Sequence, residues 1–301
     1  MTTIHDSLNK MASRVVPGPE DGRRICECTA TLSELSGITC DSCGTKTKRV
    51  PRYRCSESGK AVPGVTTIIG DMVHKPALVS WSARLAVDHL EAVCAEGELP
   101  TQDDYEAAKR AHDKERDEGA LIGTMVHDAL NAWLAGGILD GYLPDDPQAA
   151  EAVRAGLAWL DERKRDVIAV EAVIVGGCEA TGPRFAGRVD LAYMDEDGEG
   201  LVVADWKSTK SGLYAESLMQ IAAYADAIQT ATDIVVTRTE LVHVDRESGR
   251  PSTLTQEYDA WRCAAEDFGL LVEARSGHKQ REKTVSKWRK AWREAQQELA
   301  S

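Results

Sequence analysis

Three charged residues interrupt two otherwise apolar runs in the segment RVDLAYMDEDGEGLVVADWKSTKS, which spans residues 188–211. Asp190 lies within the first run, and Asp205 and Lys207 lie at the end of the second. Both runs have a β-forming composition, so the charges would lie in or beside a sheet. Because a lone charge in an apolar strand is costly unless it is paired or bound to metal, these residues either neutralise one another or hold a cation.

A turn at the Asp-Gly pair 197–198 would join the two runs into a hairpin. This register places Asp190 directly opposite Asp205, and Arg188 opposite Lys207. Lys207 also shares a face with Asp205, because side chains alternate along a strand. Two opposed carboxylates repel each other, and a divalent ion such as Mg²⁺ or Mn²⁺ between them would relieve the repulsion. The alternative is a salt-bridged cluster of the four charges on a solvated face.

Hydrophobic periodicity predicts the elements that must position these residues. The order is several helices, then a strand, the hairpin, a helix and further strands, which predicts an α/β protein with a mixed central sheet flanked by helices. Helices are predicted from Pro76 onward, over Thr101–Glu118, 119–137, 145–164 and 214–232, and near the C-terminus; strands are predicted over 166–177, in the hairpin and over 233–258.

Four sequence features resemble the motifs of a known nuclease superfamily. GRVD at 187–190, DWK at 205–207 and QIAAY at 220–224 resemble the GxxD, DxK and QxxxY motifs of PD-(D/E)XK nucleases. A histidine on an upstream helix, matched by His127 in GTMVHDAL, is similar to the RecB-like branch with its CRISPR-associated and phage-encoded exonucleases. PGVTTII before KPALVSW also resembles the entry segment of phage-encoded members. The resemblance implies a restriction-endonuclease-like fold.

The resemblance also implies a role for each charged residue. Asp190 and Asp205 would bind the metal ion, and Lys207 would orient the attacking water and help to deprotonate it. His127 would be a further metal ligand, and an imidazole ligand favours Mn²⁺ over Mg²⁺. The alternative for His127 is an ordinary histidine at the edge of a helix.

Four other residues are candidates near the same site. Gln220 and Tyr224 share a helix face, and the resemblance implies that this face contacts nucleic acid or supports the active-site strand. Alternatively, Tyr224 packs against the sheet. Arg188 either contacts DNA within the site or merely neutralises it. Glu171, in AVEAV, is either a further metal ligand, directly or through water, or a solvated glutamate at a strand edge.

A cysteine-rich segment predicts a second metal site. Paired cysteines in a cytosolic chain bind metal more often than they form disulfides, and four thiolates suit tetrahedral Zn²⁺. Cys55 is an alternative fourth ligand, and free thiols in a loose loop are the other reading. Some RecB-like relatives hold an iron–sulfur cluster with three cysteines after the motifs; only Cys263 follows here, so no cluster is expected. The predicted zinc ligands are Cys26, Cys28, Cys40 and Cys43.

The 301 residues carry a net charge of −13, and no run is long and apolar enough to span a membrane. The N-terminus lacks a signal-peptide core, so a cytoplasmic location is expected. Trp288 and Trp292 lie one turn apart in a basic tail, and their shared face is expected to pack on the body or on another subunit. The predicted organisation is a flexible N-terminus (1–22), a zinc-ribbon-like segment (23–57), a nuclease core (58–275) and a basic C-terminal helix (276–301).

The functional expectation is a divalent-metal-dependent deoxyribonuclease that cuts single- or double-stranded DNA, as an exonuclease, in recombination, repair or replication. A recombination protein is an expected partner. Cutting from an end depends on the resemblance alone. The alternatives are a structure-specific endonuclease of the same fold and a DNA-binding or recruiting module without catalysis.

Overall fold

The computed structural model describes residues 4–17, 24–25, 48–49, 51–95, 97, 99–136, 143–162, 166–177, 182–210 and 212–299. These residues form seven helices and ten strands. The helices are α1 (Ile4–Ala12), α2 (Val65–Met72), α3 (Pro76–Ala95), α4 (Gln102–Leu134), α5 (Pro147–Glu162), α6 (Ala215–Thr232) and α7 (Tyr258–Leu299). The strands are β1 (Val15–Pro17), β2 (Arg24–Ile25), β3 (Lys48–Arg49), β4 (Tyr53–Cys55), β5 (Ala61–Val62), β6 (Val167–Gly176), β7 (Phe185–Met194), β8 (Leu201–Lys207), β9 (Val236–Val244) and β10 (Pro251–Glu257).

A five-stranded sheet forms the centre of the molecule. Its strand order is β10-β9-β8-β7-β6, with β8 and β9 parallel and the other neighbours antiparallel. A parallel pair needs a crossover connection, and α6 provides it between β8 and β9. The predicted mixed α/β sheet flanked by helices is confirmed.

Two apolar cores lie on opposite faces of this sheet. One contains Leu201 and Val203 together with residues of α1, α2, α6 and α7. The other contains Val202 and Trp206 together with residues of α4 and α5. Successive residues of β8 therefore face opposite cores, as alternation requires. Asp205 lies on the face of Val203, towards α6, and Trp206 points the other way, as predicted.

The helix α4 is continuous where the sequence predicts two helices. It begins with a capping box, in which the Thr101 hydroxyl accepts from the backbone N–H of Asp104, while the Asp104 carboxylate accepts from the N–H of Thr101 at 2.7 Å. Gly119, at the predicted break, lies inside the helix. A single glycine costs about 1 kcal/mol relative to alanine, and the packing of α4 against α3 and α5 offsets this.

The N-terminus differs from the flexible segment that the sequence predicts over residues 1–22. Helix α1 buries Leu8 and Met11, which are 7% and 3% exposed. Strand β1 then pairs with β4, where Val15 lies opposite Cys55. The predicted zinc ligands between residues 26 and 43 lie outside the described residues.

The C-terminal helix does not begin at residue 276, because α7 runs without a break from Tyr258. Its first half packs on the body, where Trp261 and Phe268 are buried. The described side chains after Gln280 are all exposed. Trp288 and Trp292 stack on each other with ring centroids 6.4 Å apart and remain 62% and 53% exposed. Their face does not pack on the described part of the body, and packing on another subunit stays a prediction.

Candidate active site

The regular alternation of side chains between the two faces of the sheet is interrupted in β6 and β7, at neighbouring positions of the two strands. On β7, Gly187 and Val189 lie on the α6 side, whereas Leu191 enters the core beneath α4 and α5. Regular alternation would keep Val189 and Leu191 on one face. On β6, Glu171 has a φ of 51°, a left-handed conformation that residues other than glycine rarely adopt. The two strands are kinked here, and the kink brings Glu171 and Asp190 beside α4.

Three side chains converge at the kink. His127 of α4 has its Nδ1 3.5 Å from Asp190 Oδ1 and 4.0 Å from Glu171 Oε1. One potential ligand atom from each residue lies within 4.8 Å of the other two. Asn131 donates from Nδ2 to Glu171 Oε1 at 2.8 Å, and Arg188 Nη1 lies 3.3 Å from Glu171 Oε2. These two contacts hold the Glu171 carboxylate towards His127 and Asp190.

Sequence reasoning missed Asn131. Its position offered a signal, because Asn131 follows His127 by four residues and therefore shares its face of α4. Its partner Glu171 comes from a strand forty residues away in the chain, however, and no pattern in the sequence joins the two.

Asp205 and Lys207 form the second part of the site, at the end of β8. Their side chains make an ion pair, and Asp205 is only 2% exposed. Gln220 of α6 donates from Nε2 to Asp205 Oδ1 at 3.3 Å and to the Tyr224 hydroxyl at 3.0 Å. Asp205 is thus held between an ammonium group and an amide.

Gly187 of the GRVD motif lies against the ring of Tyr224 of the QIAAY motif. Tyr224 is 3% exposed, and a Cβ at position 187 would approach its Cε1 to 2.6 Å. Position 187 therefore has room for glycine alone, because the tyrosine ring occupies the space of any side chain. The burial of Tyr224 fits packing against the sheet rather than contact with nucleic acid.

The hairpin has the register that its turn predicts. The pairs run from Leu191–Ala204 to Met194–Leu201. The described pairing ends before the aspartates, and Asp190 Oδ2 instead accepts from the backbone N–H of Trp206 at 2.8 Å. The predicted direct opposition of the two aspartates is therefore not among the described pairs and stays a prediction.

The predicted opposition of Arg188 and Lys207 lies beyond the described pairs of β7 and β8 and stays a prediction. Arg188 pairs across β6 with Val173, and its guanidinium reaches Glu171. Arg188 thus contacts the group around Glu171, while Lys207 belongs to Asp205.

The crowded charges shift the ionisation of the site. Burial disfavours the charged imidazolium, but Asp190 and Glu171 outweigh it and raise the pKa of His127 to about 10. Burial also disfavours the Asp190 carboxylate, yet His127 and Lys207 lower its pKa. Burial and repulsion from Asp190 raise the pKa of Asp205, although Lys207 opposes the shift. Two neighbouring carboxyl groups thus have pKa values displaced in opposite directions.

The donors at the kink fit a divalent cation. Two carboxylate oxygens and an imidazole nitrogen lie within 4.8 Å of one another, which is close enough for all three to bind one ion. Oxygen ligands suit Mg²⁺ and Mn²⁺. An ion bound there would compete with the proton for the imidazole nitrogen of His127. The three grouped residues are His127, Glu171 and Asp190. Asp205, which the sequence also predicts as a ligand, lies outside this group of three, and its role as a ligand stays a prediction.

The class of the protein follows from comparison with known sequences. A sequence model of the PD-(D/E)XK nuclease superfamily matches residues 107–301, which is more than half of the chain and includes both parts of the site. The chain belongs to the PD-(D/E)XK nuclease superfamily. Its members use divalent metals, so membership supports a metal-dependent phosphodiesterase that acts on nucleic acid.

The other comparisons add less. The comparison with curated proteins gives no match. Among solved structures, the crystal structure of SSO0001 is similar at 16% identity and a TM-score of 0.26, over 40% of this chain and 57% of that chain. A TM-score this low supports no inference about fold or function. None of the described helices has the length and apolarity that a membrane crossing requires.

Proposed function

We propose that the protein is a divalent-metal-dependent deoxyribonuclease of the RecB-like, phage-type branch that degrades DNA from an end. The observation that carries the proposal is the convergence of His127, Glu171 and Asp190 at a strand kink beside the Asp205–Lys207 pair. The order of the sequence motifs supports membership of the RecB-like branch. The exonucleases of that branch support cutting from an end. Recombination, repair or replication, with a recombination protein as partner, is the process that such an activity would serve.

Each residue of the site has a proposed task. His127, Glu171 and Asp190 hold the ion, and Asp205, whose charge acts on both His127 and Asp190, adds to the negative potential that attracts it. The bound ion would relieve charge on the phosphate and lower the pKa of its water.

Lys207 acts as a positive charge in this proposal. Although burial disfavours its ammonium group, Asp205 and Asp190 raise its pKa, so Lys207 stays protonated at neutral pH. An ammonium group can orient the attacking water and stabilise negative charge on the phosphate. Gln220 positions Asp205 from the other side.

The test of cutting from an end compares linear DNA with covalently closed single-stranded and duplex circles under Mg²⁺ and Mn²⁺. We expect linear DNA to be degraded and closed circles to survive. Lys207→Ala should abolish cleavage while DNA binding is retained, whereas Lys210→Ala, at an exposed lysine in the loop after β8, should cut normally. Cleavage of closed circles would make the protein an endonuclease of the same fold.

We also propose that the segment 23–57 is a structural zinc unit. The paired cysteines support it, because four thiolates satisfy tetrahedral zinc. Elemental analysis of protein purified without chelator should find zinc, and Cys40→Ser should lose it while the exposed Cys263→Ser keeps it. If the purified protein contains no zinc, the zinc unit is refuted, whereas the nuclease proposal is unaffected. The ligands are Cys26, Cys28, Cys40 and Cys43.

A further inference from the structure

Arg246 is a buried cation with no carboxylate partner among the residues that the structure describes. It follows β9 and is 8% exposed. Its Nη2 donates to the backbone oxygen of Gly119 at 3.2 Å and lies 3.5 Å from Ser208 Oγ. Its Nε has no hydrogen-bond partner in the ranges that the structure covers. The acid whose charge reaches it is Asp146, and that carboxylate accepts the backbone N–H of Ala149 at the start of α5.

This environment does not compensate the charge of Arg246. Two neutral acceptors at long range offset little of the cost of removing a guanidinium from water. A guanidinium also presents several N–H groups in a rigid fork that matches the oxygens of a phosphate. The side chain therefore has unused donors of the type that binds a phosphate.

The position of Arg246 places these donors beside the site. The parallel strands β8 and β9 end at the same edge of the sheet, where Lys207 lies opposite His243. Ser208, which Arg246 approaches, directly follows Lys207. The loop after β8 also touches β9, since His243 Nε2 lies 2.8 Å from the backbone oxygen of Thr209. Arg246 thus lies next to the active-site strand.

One face of α4 lines the space between Arg246 and the metal group. Gly119, Gly123 and His127 follow at intervals of four residues and share this face. A Cβ at Gly123 would be 3.7 Å from Ser208 Oγ, and a Cβ at Gly119 would meet no atom within 4 Å. Open space therefore adjoins the carbonyl that Arg246 contacts, about 12 Å along the helix axis from His127.

We propose that Arg246 and the Ser208 hydroxyl form an anion subsite that binds a phosphate of the nucleic-acid strand flanking the phosphodiester that is cleaved. This inference rests on the proposed nuclease function and adds a substrate contact to it. A flanking phosphate gives the guanidinium the counter-charge that the described residues around it do not supply. Because the subsite lies about 12 Å from His127, it positions the nucleic-acid strand and takes no part in the cleavage step itself.

The test measures binding of a fluorescein-labelled oligonucleotide by anisotropy in EDTA, over a series of salt concentrations. Arg246→Gln should weaken binding about 10- to 100-fold, because a charge-assisted hydrogen bond contributes about 1.5–3 kcal/mol. The slope of log affinity against log salt should fall by about 0.7 on single strands and about 0.9 on duplex. Arg250→Gln removes an exposed charge from the same turn and should change affinity less than about twofold.

Steady-state cleavage adds a second measurement. Arg246→Gln should raise KM with little change in kcat, because a flanking contact binds substrate and transition state equally. Arg246→Lys keeps the charge without the fork, so it should retain the wild-type salt slope yet bind more weakly than wild type. This variant carries the test if thermal melting shows that Arg246→Gln fails to fold.

Several results would overturn the subsite. Wild-type affinity and salt slope in Arg246→Gln would show that Arg246 merely ties its loop to α4. An equal loss in Arg250→Gln would show an unspecific charge effect, and wild-type affinity in Arg246→Lys would show that the fork is not needed. The proposed function fails separately, if wild-type protein binds DNA and leaves it uncut, and in that case the subsite stands.

Discussion

At the scale of single residues, Glu171 is the side chain on which the metal group depends most. Its φ of 51° belongs to a conformation that costs a non-glycine residue on the order of 1–3 kcal/mol. Such strain persists where the surroundings fix it, and Asn131 and Arg188 hold the carboxylate from two sides. The strained backbone thus places a carboxylate where His127 and Asp190 need it.

Glu171→Gln should lower Mn²⁺ affinity about tenfold or more, because the substitution removes a ligand charge and leaves the side-chain shape nearly unchanged. Isothermal titration calorimetry measures this affinity. Glu257→Gln, at an exposed strand position, is the control and should bind Mn²⁺ as wild type does. Unchanged affinity in Glu171→Gln would show that its carboxylate does not ligate the ion.

The sequence predicts part of this site for a clear physical reason. Asp190, Asp205 and Lys207 stand out because charges are rare in apolar strands, and the turn sets their register. The kink could not be predicted, since glutamate has no preference for a positive φ. The contact between Glu171 and Asn131 depends on that kink and on a packing of α4 against β6 that no local pattern encodes.

At the scale of elements, the contact between Gly187 of β7 and Tyr224 of α6 sets how closely helix and strand approach. The ring lies where a side chain at 187 would lie, with Ile174 Cδ1 also only 3.3 Å from that point. The tyrosine hydroxyl in turn accepts the hydrogen bond from Gln220. A change at the glycine therefore reaches Asp205 through the helix.

Gly187→Ala should destabilise the protein by about 1–3 kcal/mol, because the methyl group overlaps the ring. Urea denaturation measures the loss. The double variant Gly187→Ala/Tyr224→Leu should lose less than the sum of its two single changes. Gly70→Ala, where a Cβ meets nothing within 4 Å inside α2, should instead stabilise by about 0.5–1 kcal/mol. Strictly additive losses at 187 and 224 would contradict the contact.

The second half of α7 should be dispensable for folding. A chain ending at Gln280 should melt within about 2 °C of the full chain, because all the described side chains beyond that residue are exposed and Trp288 and Trp292 stack only on each other. Differential scanning calorimetry gives the two temperatures. A fall of about 5 °C or more would mean that the helix packs on something, and light scattering would then show whether a second copy of the chain is involved.

Element types were easier to predict than element ends. Strong periodicity predicts the strands and helices around the site, but the break at Gly119 was wrong because packing on both sides carries α4 through a glycine. The helix α1 was missed because it has only nine residues and lies in a polar N-terminal segment that the sequence predicts to be flexible.

At the scale of the whole molecule, the sheet carries a second ionic cluster away from the site. Arg238 of β9 pairs with Asp195 and with Glu240, and the Tyr193 hydroxyl donates to Glu240 at 2.8 Å. Asp195 follows β7 and therefore lies at the turn end of the hairpin, opposite the edge where Lys207 ends β8. The cluster ties β7 to β9 across β8 and serves the fold.

This cluster should make stability depend on acid pH. Burial disfavours the Asp195 carboxylate, but hydrogen bonds from Thr237 and Arg238 outweigh it and lower the pKa of Asp195. A lowered pKa in the folded state contributes stability above the unfolded value of about 3.9, and this is lost as pH falls through the folded pKa. Asp195→Asn should therefore be less stable than wild type by about 1 kcal/mol or more at pH 7, with a smaller difference at pH 3.

Urea denaturation at the two pH values measures that difference. Asp88→Asn, at an exposed position on α3, is the control and should match wild type at both. A deficit in Asp195→Asn of the same size at pH 3 and pH 7 would show that the carboxylate charge contributes nothing.

The central claim is that the group at the strand kink binds the metal ion with which the protein cuts DNA. Its most direct test is cleavage of end-labelled linear DNA by wild type and by Asp190→Asn, each with Mn²⁺ and with EDTA. We predict that wild type degrades the DNA with Mn²⁺ and not with EDTA, and that Asp190→Asn is at least about a hundredfold slower, as loss of metal catalysis requires. Asp190→Asn cutting at the wild-type rate, or wild type cutting equally well in EDTA, would contradict the claim.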